Sequence, residues 1–533
     1  MSSIDKKDDK LARVSNGSQE TDLDVVNGQV GELRGEPMAA RYSLFTMLAL
    51  YFGGSGGWEG PSGSLFQVVV AGGPTGLVWS YIMAGFFGVC CAAAIAEFAS
   101  LWPGAGATYH WTLHLCPPKF RRQVGWTMSY LCLYMIIMQT LVAGFTGALQ
   151  VQSVVMLGVD SYNPQRWHVY LLFVAMTLVA FAVNLFVPRM IHHLSMIILC
   201  LHTIGLVGIT ATLFATTNHY NSASLVFGNL VDSTGWQDKG ICFLVGMLPS
   251  STSFIGVQMA GHWSEETDKP TTDIPRAIVW GTVTNAITGF PFILAMAFCM
   301  GDPSEIVNDP LVATSPLAAL IVRSSNSNVA AIALCSVLTA ICFIGGVFCI
   351  GMSSRIMAAA ARDSALSFEH FLSRIHPRWN VPMNAMATSV VIVLLLGVIY
   401  VGNTTAFFSI SSGAVLTQTL TVIVPIVFHI ARYWNGGLEY GPWRLPVWLR
   451  WTVNVIGAAG FSFIVVAIII PSRYPVTAEN MNYSTTLLGA CFILSTVLWF
   501  VFGRDRYKEE HFKFTEEYAA SRKVTKKLII SAA

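Results

Sequence analysis

Charged residues are scarce in this chain. Asp, Glu, Lys and Arg make up only 11% of its 533 residues, whereas hydrophobic residues make up 54%; soluble globular proteins carry roughly a quarter charged residues. A chain this long and this apolar cannot cover itself with a polar surface, which indicates that lipid is its solvent. The net charge of +2 and the lack of a basic patch with interleaved aromatics argue against a nucleic-acid partner.

Motifs for cofactor, metal or nucleotide chemistry are also missing. The 11 cysteines show no C-x-x-C spacing, and nearly all lie in apolar stretches, where helix packing explains them better than a metal or a disulfide. No G-x-x-x-x-G-K-[ST] loop, ligand cluster or nucleophile motif lies at membrane depth, which argues against a pump or a membrane enzyme. No span carries a filter motif, which disfavours a channel. We therefore expect no cofactor, no metal and no enzymatic activity.

Both ends of the chain are polar. Residues 1–41 lack the apolar core that a cleavable signal peptide needs. We expect 1–41 to be a disordered cytoplasmic tail, 42–503 to be the membrane domain and 504–533 to be a second cytoplasmic tail.

Apolar runs long enough to cross a bilayer follow one another along the membrane domain. A spanning helix needs about 20 residues, and about twelve such runs occur. They lie near 43–71, 76–101, 124–150, 168–187, 191–214, 239–262, 277–301, 328–353, 384–402, 405–431, 450–471 and 485–503. With the N-terminus inside, the outer loops hold only Arg166, Lys239, Arg323 and Arg473, and all other loop cations lie inside. This positive-inside asymmetry predicts an all-α membrane protein with both termini in the cytoplasm.

The first apolar run contains residues that a helix tolerates poorly. Residues 53–64 read Gly-Gly-Ser-Gly-Gly-Trp-Glu-Gly-Pro-Ser-Gly-Ser, and each Gly costs a helix about 1 kcal/mol and Pro about 3 kcal/mol. Unwound backbone survives at membrane depth only against protein or a water-filled cavity. Close helix packing explains the glycines but neither Pro61 nor Glu59, so we expect a functional break here.

The sixth run has a similar weak point at 249–258, which reads Pro-Ser-Ser-Thr-Ser-Phe-Ile-Gly-Val-Gln. Hydroxyl side chains also bond back to their own helix, so this stretch alone is a weak signal. The first and sixth runs, however, hold equivalent places in two five-helix halves of opposite topology, 42–214 and 238–431, which two further helices at 450–503 follow. Interrupted helices at equivalent places of inverted repeats indicate a transporter binding site.

Few ionisable residues lie well inside the predicted spans. Glu59 falls within the first break. It is either a functional carboxylate, as the countercharge of a substrate amine or as a proton-binding site, or a surface carboxylate at a helix kink. Glu97, near the inner end of the second span, is another proton-coupling candidate, although a helix-locking role explains it better. His202 in the fifth span is either a proton shuttle or a packing residue. In the outer loops, Asn482 is a candidate glycosylation site, whereas Asn403 lies too close to the membrane.

Five short motifs occur in order between about residues 40 and 505. They are Gly-Gly-Pro at 72–74 with 96–106, Gly-Trp at 235–236, His-Trp-Ser-Glu-Glu to Ile-Pro-Arg at 262–276, Ser-Arg to Val-Pro-Met-Asn-Ala at 354–385, and Pro-Val-Thr to Asn-Met-Asn-Tyr at 475–483. Together they resemble fungal permeases of the amino acid–polyamine–organocation superfamily, in particular the amino acid/choline transporter family with its choline and γ-aminobutyrate permeases.

The resemblance implies two inverted five-helix repeats plus two C-terminal helices, and alternating access with the solute between the first and sixth spans. It implies proton-coupled transport of amino acids or related small amines such as γ-aminobutyrate and choline. The implied substrate contacts are Trp58, Glu59, Gly60, Ser62, Gly63, Ser64, Ser251, Thr252, Ser253, Phe254, Gly256 and Gln258. Many relatives carry an acid at the position of Gln258 and often a tryptophan at that of Thr252. Phe254 is therefore the candidate gating aromatic, and our hypothesis is that the charge has moved from the sixth span to Glu59 in the first.

Other functions fit the same fold. One is a nutrient sensor that moves no solute, although such a protein is expected to have long signalling tails. Another is an importer or exporter of a specialised nitrogenous metabolite. A single carboxylate in the window suits a zwitterion or a singly charged cation better than a polycation. We expect the plasma membrane, with the vacuolar membrane as the alternative, and the sequence leaves open the solute, the direction, the coupling ion and the oligomeric state.

Overall fold

The structure, a computed structural model, describes residues 42–302, 309–433, 438, 440–478 and 480–507. The predicted tails therefore lie outside the described residues, apart from 504–507.

The first half of the membrane domain is helical. Its helices are α1 (Leu44–Ser55), α2 (Glu59–Val70), α3 (Gly73–Leu101), α4 (Thr108–Leu115), α5 (Arg121–Gly158), α6 (Arg166–Phe186) and α7 (Met190–Thr216). A two-residue strand, β1 (Ala71–Gly72), follows α2 and pairs antiparallel with β2 (Val231–Asp232) in the connection to the second half. The short helix α8 (Ala223–Phe227) precedes β2.

The second half of the membrane domain is also helical. Its elements are α9 (Lys239–Val245), α10 (Met247–Thr252), a 3₁₀ helix (Ile255–Glu266), α11 (Pro270–Cys299), a 3₁₀ turn (Pro310–Ala313), α12 (Pro316–Ser325), α13 (Asn328–Arg362), α14 (Glu369–Leu372), α15 (Met383–Gly397), α16 (Ile399–Gly402) and α17 (Thr404–Tyr433). The chain then forms α18 (Val447–Ile469), α19 (Ser484–Leu498), a π-helical turn (Trp499–Gly503) and α20 (Arg504–Arg506).

Eleven helical segments in the described part of the chain are long and apolar enough to cross a membrane. The remaining predicted span, the first, is divided into α1 and α2, each of 12 residues, so neither crosses a bilayer alone. Large apolar side chains such as Ile287 and Leu395, each 67% exposed, face outward from the long helices, as lipid contact requires. The prediction of an all-α membrane protein of about twelve spans is confirmed.

Two helix pairs organise the interior. The second span, α3, packs along the seventh, α11, and the third span, α5, packs along the eighth, α13. In each pair the two helices hold equivalent places in the two predicted repeats. The repeat boundaries themselves, 42–214 and 238–431, stay a prediction.

Candidate functional site

The first span breaks where the sequence predicts it. Helix α1 ends at Ser55, and Gly56 adopts a left-handed conformation with a φ of 70°, which a glycine reaches without a steric penalty. The chain resumes as α2 at Glu59. The break therefore lies one short helix, about 18 Å, from either end of the span, near mid-membrane.

The sixth span breaks at the equivalent depth. Helix α10 ends at Thr252, and after Ser253 and Phe254 the chain continues to Glu266 as 3₁₀ turns that are interrupted by a kink at Gly256, where φ is −81° and ψ is 15°. A 3₁₀ helix longer than about four residues is uncommon and often marks a hinge. The second predicted break is thus confirmed, and the 3₁₀ turns beyond it are kinked again at Gly256.

The two breaks touch each other. The Ser253 hydroxyl donates a hydrogen bond to the Gly57 carbonyl over 2.7 Å, and the Asn285 side chain of α11 donates to the Ser253 carbonyl over 2.7 Å. A Cβ on Gly256 would lie 2.6 Å from Cα of Ser55, closer than real Cβ contacts come. Glycine is therefore required for the backbones to approach this closely.

A buried group of polar side chains surrounds Gly57, and we call Glu59, His202 and Asn285 the central cluster. Oε1 of Glu59 lies 2.7 Å from Nδ1 of His202 on α7, and the two side chains are only 7% and 5% exposed. A Cβ on Gly57 would lie within 3.0 Å of all three side chains. Oε2 of Glu59, Nε2 of His202 and Oδ1 of Asn285 have no hydrogen-bond partner among the described residues.

Aromatic rings enclose the central cluster. The Trp58 indole donates to the backbone carbonyl of His202 over 3.2 Å and packs on Phe292, with 5.1 Å between the ring centroids. The Phe52 ring lies 5.0 Å from the His202 ring. Apolar walls exclude water and lower the local dielectric constant, so charges in the cluster interact strongly.

Several predicted contact residues use their hydroxyls within their own helix. Ser62 donates to the Trp58 carbonyl, Ser251 donates to Met247 and Thr252 donates to Pro249. These side chains shape the breaks rather than offer free donors to a ligand. The remaining three predicted contacts on this part of span one are Gly60, Gly63 and Ser64, of which Gly63 is exposed and the other two are partly buried.

Two other predicted contacts lie away from the central cluster. Phe254 packs on α3, 5.2 Å from the Tyr81 ring and against Gly88, rather than between the breaks. Gln258 is fully buried, and its amide donates to the Met135 sulfur on α5 over 3.3 Å. Its Oε1, and both amide atoms of Gln418 on α17, lack partners within the described ranges.

Glu97 sits in a fully paired environment. Its carboxylate accepts from Nε of Arg450 over 2.9 Å and from the backbone N–H of Leu445 over 2.7 Å, and its side chain is 0% exposed. The Arg450 guanidinium also lies 3.5 Å from the Tyr440 ring. These contacts fasten α3 to α18 near one end of the span.

A charged network that the sequence did not predict joins the ends of several spans. Glu266 pairs with Arg355 over 2.5 Å, and Glu265 pairs with Arg362 over 2.7 Å. Asp363, just after α13, accepts from His110 of α4 over 2.8 Å. The acids and arginines all lie in the motifs quoted above, but those motifs give no pairing.

Asp363 lies outside the spanning segments and keeps its charge. Burial raises the pKa of Asp363, but His110, Arg362 and the hydroxyl of Tyr109, 2.9 Å away, outweigh burial and hold this pKa below its ordinary value of 3.8. The carboxylate is therefore ionised at neutral pH.

Space beside the breaks is small. A cavity of about 10 Å³ lies between α1, the 3₁₀ helix and α13, lined by Gly54, Met259, Trp263 and Phe348 among others. That volume holds about one water molecule.

The described residues contain no group of three His, Cys, Asp or Glu side chains arranged to hold a metal ion. Asn482, the candidate glycosylation site, is partly buried, and its amide donates to the Ile468 carbonyl over 2.5 Å.

The family model described as "Amino acid permease" matches residues 42–492. The chain belongs to this family. The permease is 26% identical over 475 residues to a choline transporter of Saccharomyces cerevisiae, a match that covers 87% of this chain and 82% of that protein. It is 28% identical to amino-acid permease 2 of Neurospora crassa over 82% of this chain and 80% of that one. It is 26% identical to a swainsonine transporter of Arthroderma benhamiae over 82% and 85%.

These matches confirm the two predictions made from the sequence, that the chain is an amino acid permease and that it is a transporter. This permease is a secondary transporter of amino acids or amines and not an enzyme, and it is an integral membrane protein.

Proposed function

We propose that this permease carries a zwitterionic or singly charged amine by alternating access, and that protons drive it through Glu59 and His202. The observation that carries the proposal is the buried Glu59–His202 contact at the point where the two broken helices meet. It joins the first break to α7, a neighbouring span.

Charge separation explains how a proton would control movement of the first break. Pulling α2 away from α7 separates Glu59 from His202, and an ionised Glu59 would then be left unpaired in a low-dielectric site at high cost. A proton on Glu59 removes that charge. A solute ammonium next to the unpartnered Oε2 replaces the lost partner. Proton and solute both lower the cost of opening, which links them energetically.

The chemistry of the breaks favours a small solute with one cationic group. Glu59 is the acid of the central cluster, so a polycation would find too few countercharges there. Backbone groups at an interrupted helix receive a carboxylate at an N-terminus and an ammonium at exposed carbonyls. Amino acids, γ-aminobutyrate and choline meet this description, and two of the relatives are named for choline and amino acids.

We propose the residues around the breaks as the binding surface once the spans separate. They are Trp58, Glu59, Gly60, Ser62, Gly63 and Ser64 on the first span and Ser251, Thr252, Ser253 and Gly256 on the sixth. Phe254 and Gln258 lie at the margins, against α3 and α5. For Glu97 we propose a locking role rather than proton coupling, because Arg450 and Leu445 already occupy its oxygens.

The proposed location is the plasma membrane, with both termini in the cytoplasm. The distribution of cations among the loops supports this orientation. Asn482, in an outer loop in this orientation, remains a candidate for glycosylation.

Uptake measurements in a permease-deficient cell test the proposed function. The probes are radiolabelled amino acids, γ-aminobutyrate and choline, with spermidine as the polycation, each with unlabelled competitors. We expect saturable uptake of one zwitterion or monocation, faster in mildly acidic than in neutral medium and abolished by a protonophore. Uptake that a protonophore leaves unchanged would contradict proton coupling, and no uptake of any probe by surface-expressed protein would favour the sensor.

A further inference from the structure

A pocket unrelated to the breaks opens on the loop between α14 and α15. It has a volume of about 300 Å³ and is lined by Arg374, His376, Pro377, Met383 and Asn384. Two of these side chains are cationic or able to become so, one is an amide and two are apolar.

Backbone hydrogen bonds hold the walls of this pocket in place. The N–H of His376 donates to the Val381 carbonyl over 2.9 Å, and the N–H of Asn380 donates back to the His376 carbonyl over 2.8 Å. The Asn384 amide donates to the Phe371 carbonyl over 2.8 Å, which ties the loop to the start of α15. The pocket is therefore part of the folded loop.

Among the residues that the structure describes, no neighbouring acid compensates the positive charge in and beside the pocket. Arg374 lines the pocket, and Arg378 follows two residues after His376; both arginines are exposed. Within the described ranges neither arginine forms an ion pair with a carboxylate. The nearest acid along the chain, Glu369, lies 3.8 Å from His370. An anion is therefore the ligand that this charge favours.

Aromatic contacts place the pocket at the level of the membrane surface. The Trp379 ring packs edge-on against Phe186, the last residue of the spanning helix α6, with 5.4 Å between centroids. The His376 ring stacks on Trp379 at 4.4 Å. Phe186 and Phe371 are 57% and 55% exposed, and tryptophans such as Trp379 collect at the headgroup level of a bilayer.

We propose that this pocket binds a phosphate group, supplied by the headgroup of an anionic lipid in the adjacent leaflet. Arginine guanidinium groups match phosphate oxygens with paired hydrogen bonds, and His376 and Asn384 add further donors. Pro377 and Met383 offer apolar surface for the glycerol and upper acyl region. Basic pockets beside spanning helices on the cytoplasmic side are suited to such headgroups, and the loop cations predict that this is the cytoplasmic side.

Lipid binding to the purified full chain in neutral detergent micelles tests the proposal. The probe is a fluorescent short-chain phosphatidic acid, with the matching phosphatidylcholine as the lipid control. We expect the paired variant Arg374→Gln/Arg378→Gln to weaken phosphatidic acid binding about thirtyfold, because about 1 kcal/mol for each arginine corresponds to roughly fivefold. Arg166→Gln, an exposed arginine at the opposite end of α6, is the matched control and should bind like the unsubstituted protein.

Three results would overturn the proposal. The first is equal phosphatidic acid binding by the unsubstituted protein and the paired variant. The second is an equal loss in Arg166→Gln, which would assign binding to general charge. The third is displacement of the lipid by dilute inorganic phosphate, which would show that the pocket binds a soluble phosphate rather than a lipid headgroup. Thermal unfolding of each variant confirms that the compared proteins are folded.

Discussion

Two buried glutamates in this permease differ in their partners. Glu97 accepts from Arg450 and from a backbone N–H, and it lies on an uninterrupted helix, α3. Glu59 contacts His202 through one oxygen, while its other oxygen lacks a partner among the described residues. Glu59 also begins a helix, just after a break.

The two sets of partners determine which carboxylate is able to lose its charge. An arginine stays protonated under all conditions that a protein meets, so the Glu97–Arg450 pair is a permanent link. A histidine, unlike an arginine, occurs in proteins both with and without its second ring proton, so the Glu59 contact is able to change. Burial of an acid therefore says little about coupling until its partner is known.

Breaking the permanent link should have the largest effect. Glu97→Gln leaves Arg450 buried without its countercharge, and removal of one partner of a buried pair costs about 3–5 kcal/mol. We expect little folded protein, measured as detergent-extracted monomer by size-exclusion chromatography and as a lowered Tm.

The double variant Glu97→Gln/Arg450→Gln is the control for this prediction, because it removes both charges. It should recover part of the lost yield. Normal yield and uptake of the single variant would contradict the locking role.

Neutralising the carboxylate at the break should affect transport and not folding. Glu59→Gln keeps the shape and a hydrogen bond to His202 but removes the titrating group and the countercharge. We expect solute uptake to fall about ten- to a hundredfold, the loss of one charge-assisted contact, at unchanged surface expression. The residual uptake should no longer respond to external pH.

An exposed Glu–His pair offers a matched control for that change. Glu369 lies 3.8 Å from His370, whose side chain is 99% exposed, so Glu369→Gln should leave uptake and its pH dependence unaltered. The coupling proposal would be refuted by a Glu59→Gln protein whose uptake keeps its normal rate and pH response.

Local sequence chemistry predicted the breaks, because glycine and proline act on their own backbone. The left-handed turn at Gly56 and the end of α10 at Thr252 both fall within the predicted windows. The family motifs likewise predicted the fold class and the transporter function, since both depend on patterns that the sequence carries directly.

Partners across the fold could not be predicted in the same way. Glu59 and His202 are 143 residues apart, and Glu97 and Arg450 are 353 apart, so only the packed helices define these pairs. The sequence also could not predict which way the Phe254 side chain points, because helical periodicity does not continue across a break. The buried Asn285, which links the cluster to Ser253, gave no motif at all.

A steric change at the contact between the breaks should affect the Glu59 site and not the Glu97 site. In Gly256→Ala the added Cβ meets the backbone of Ser55, which cannot yield as a flexible side chain would, and such overpacking costs about 1–3 kcal/mol. We expect uptake to fall severalfold because the Glu59 geometry shifts, while the Glu97–Arg450 link and the yield stay nearly normal. Gly346→Ala on α13, where a Cβ meets nothing within 4 Å, is the control, and equal losses in both variants would contradict the argument.

Asp363 is intermediate between Glu59 and Glu97, since it contacts a histidine, His110, and its pKa is also lowered by an arginine, Arg362. Its pKa lies below 3.8 in the folded protein, so its stabilising contribution is present above that value and is lost only as pH falls through the lower, folded pKa. We expect Asp363→Asn to lower the unfolding free energy by about 1–2 kcal/mol, equally in neutral and mildly acidic buffer. Thermal unfolding across a pH series measures this difference. If the stability difference between the unsubstituted protein and Asp363→Asn already shrinks on mild acidification, a nearby arginine does not suffice to keep an acid ionised. The contrast between Glu59 and Glu97 would then have a cause other than the identity of their partners.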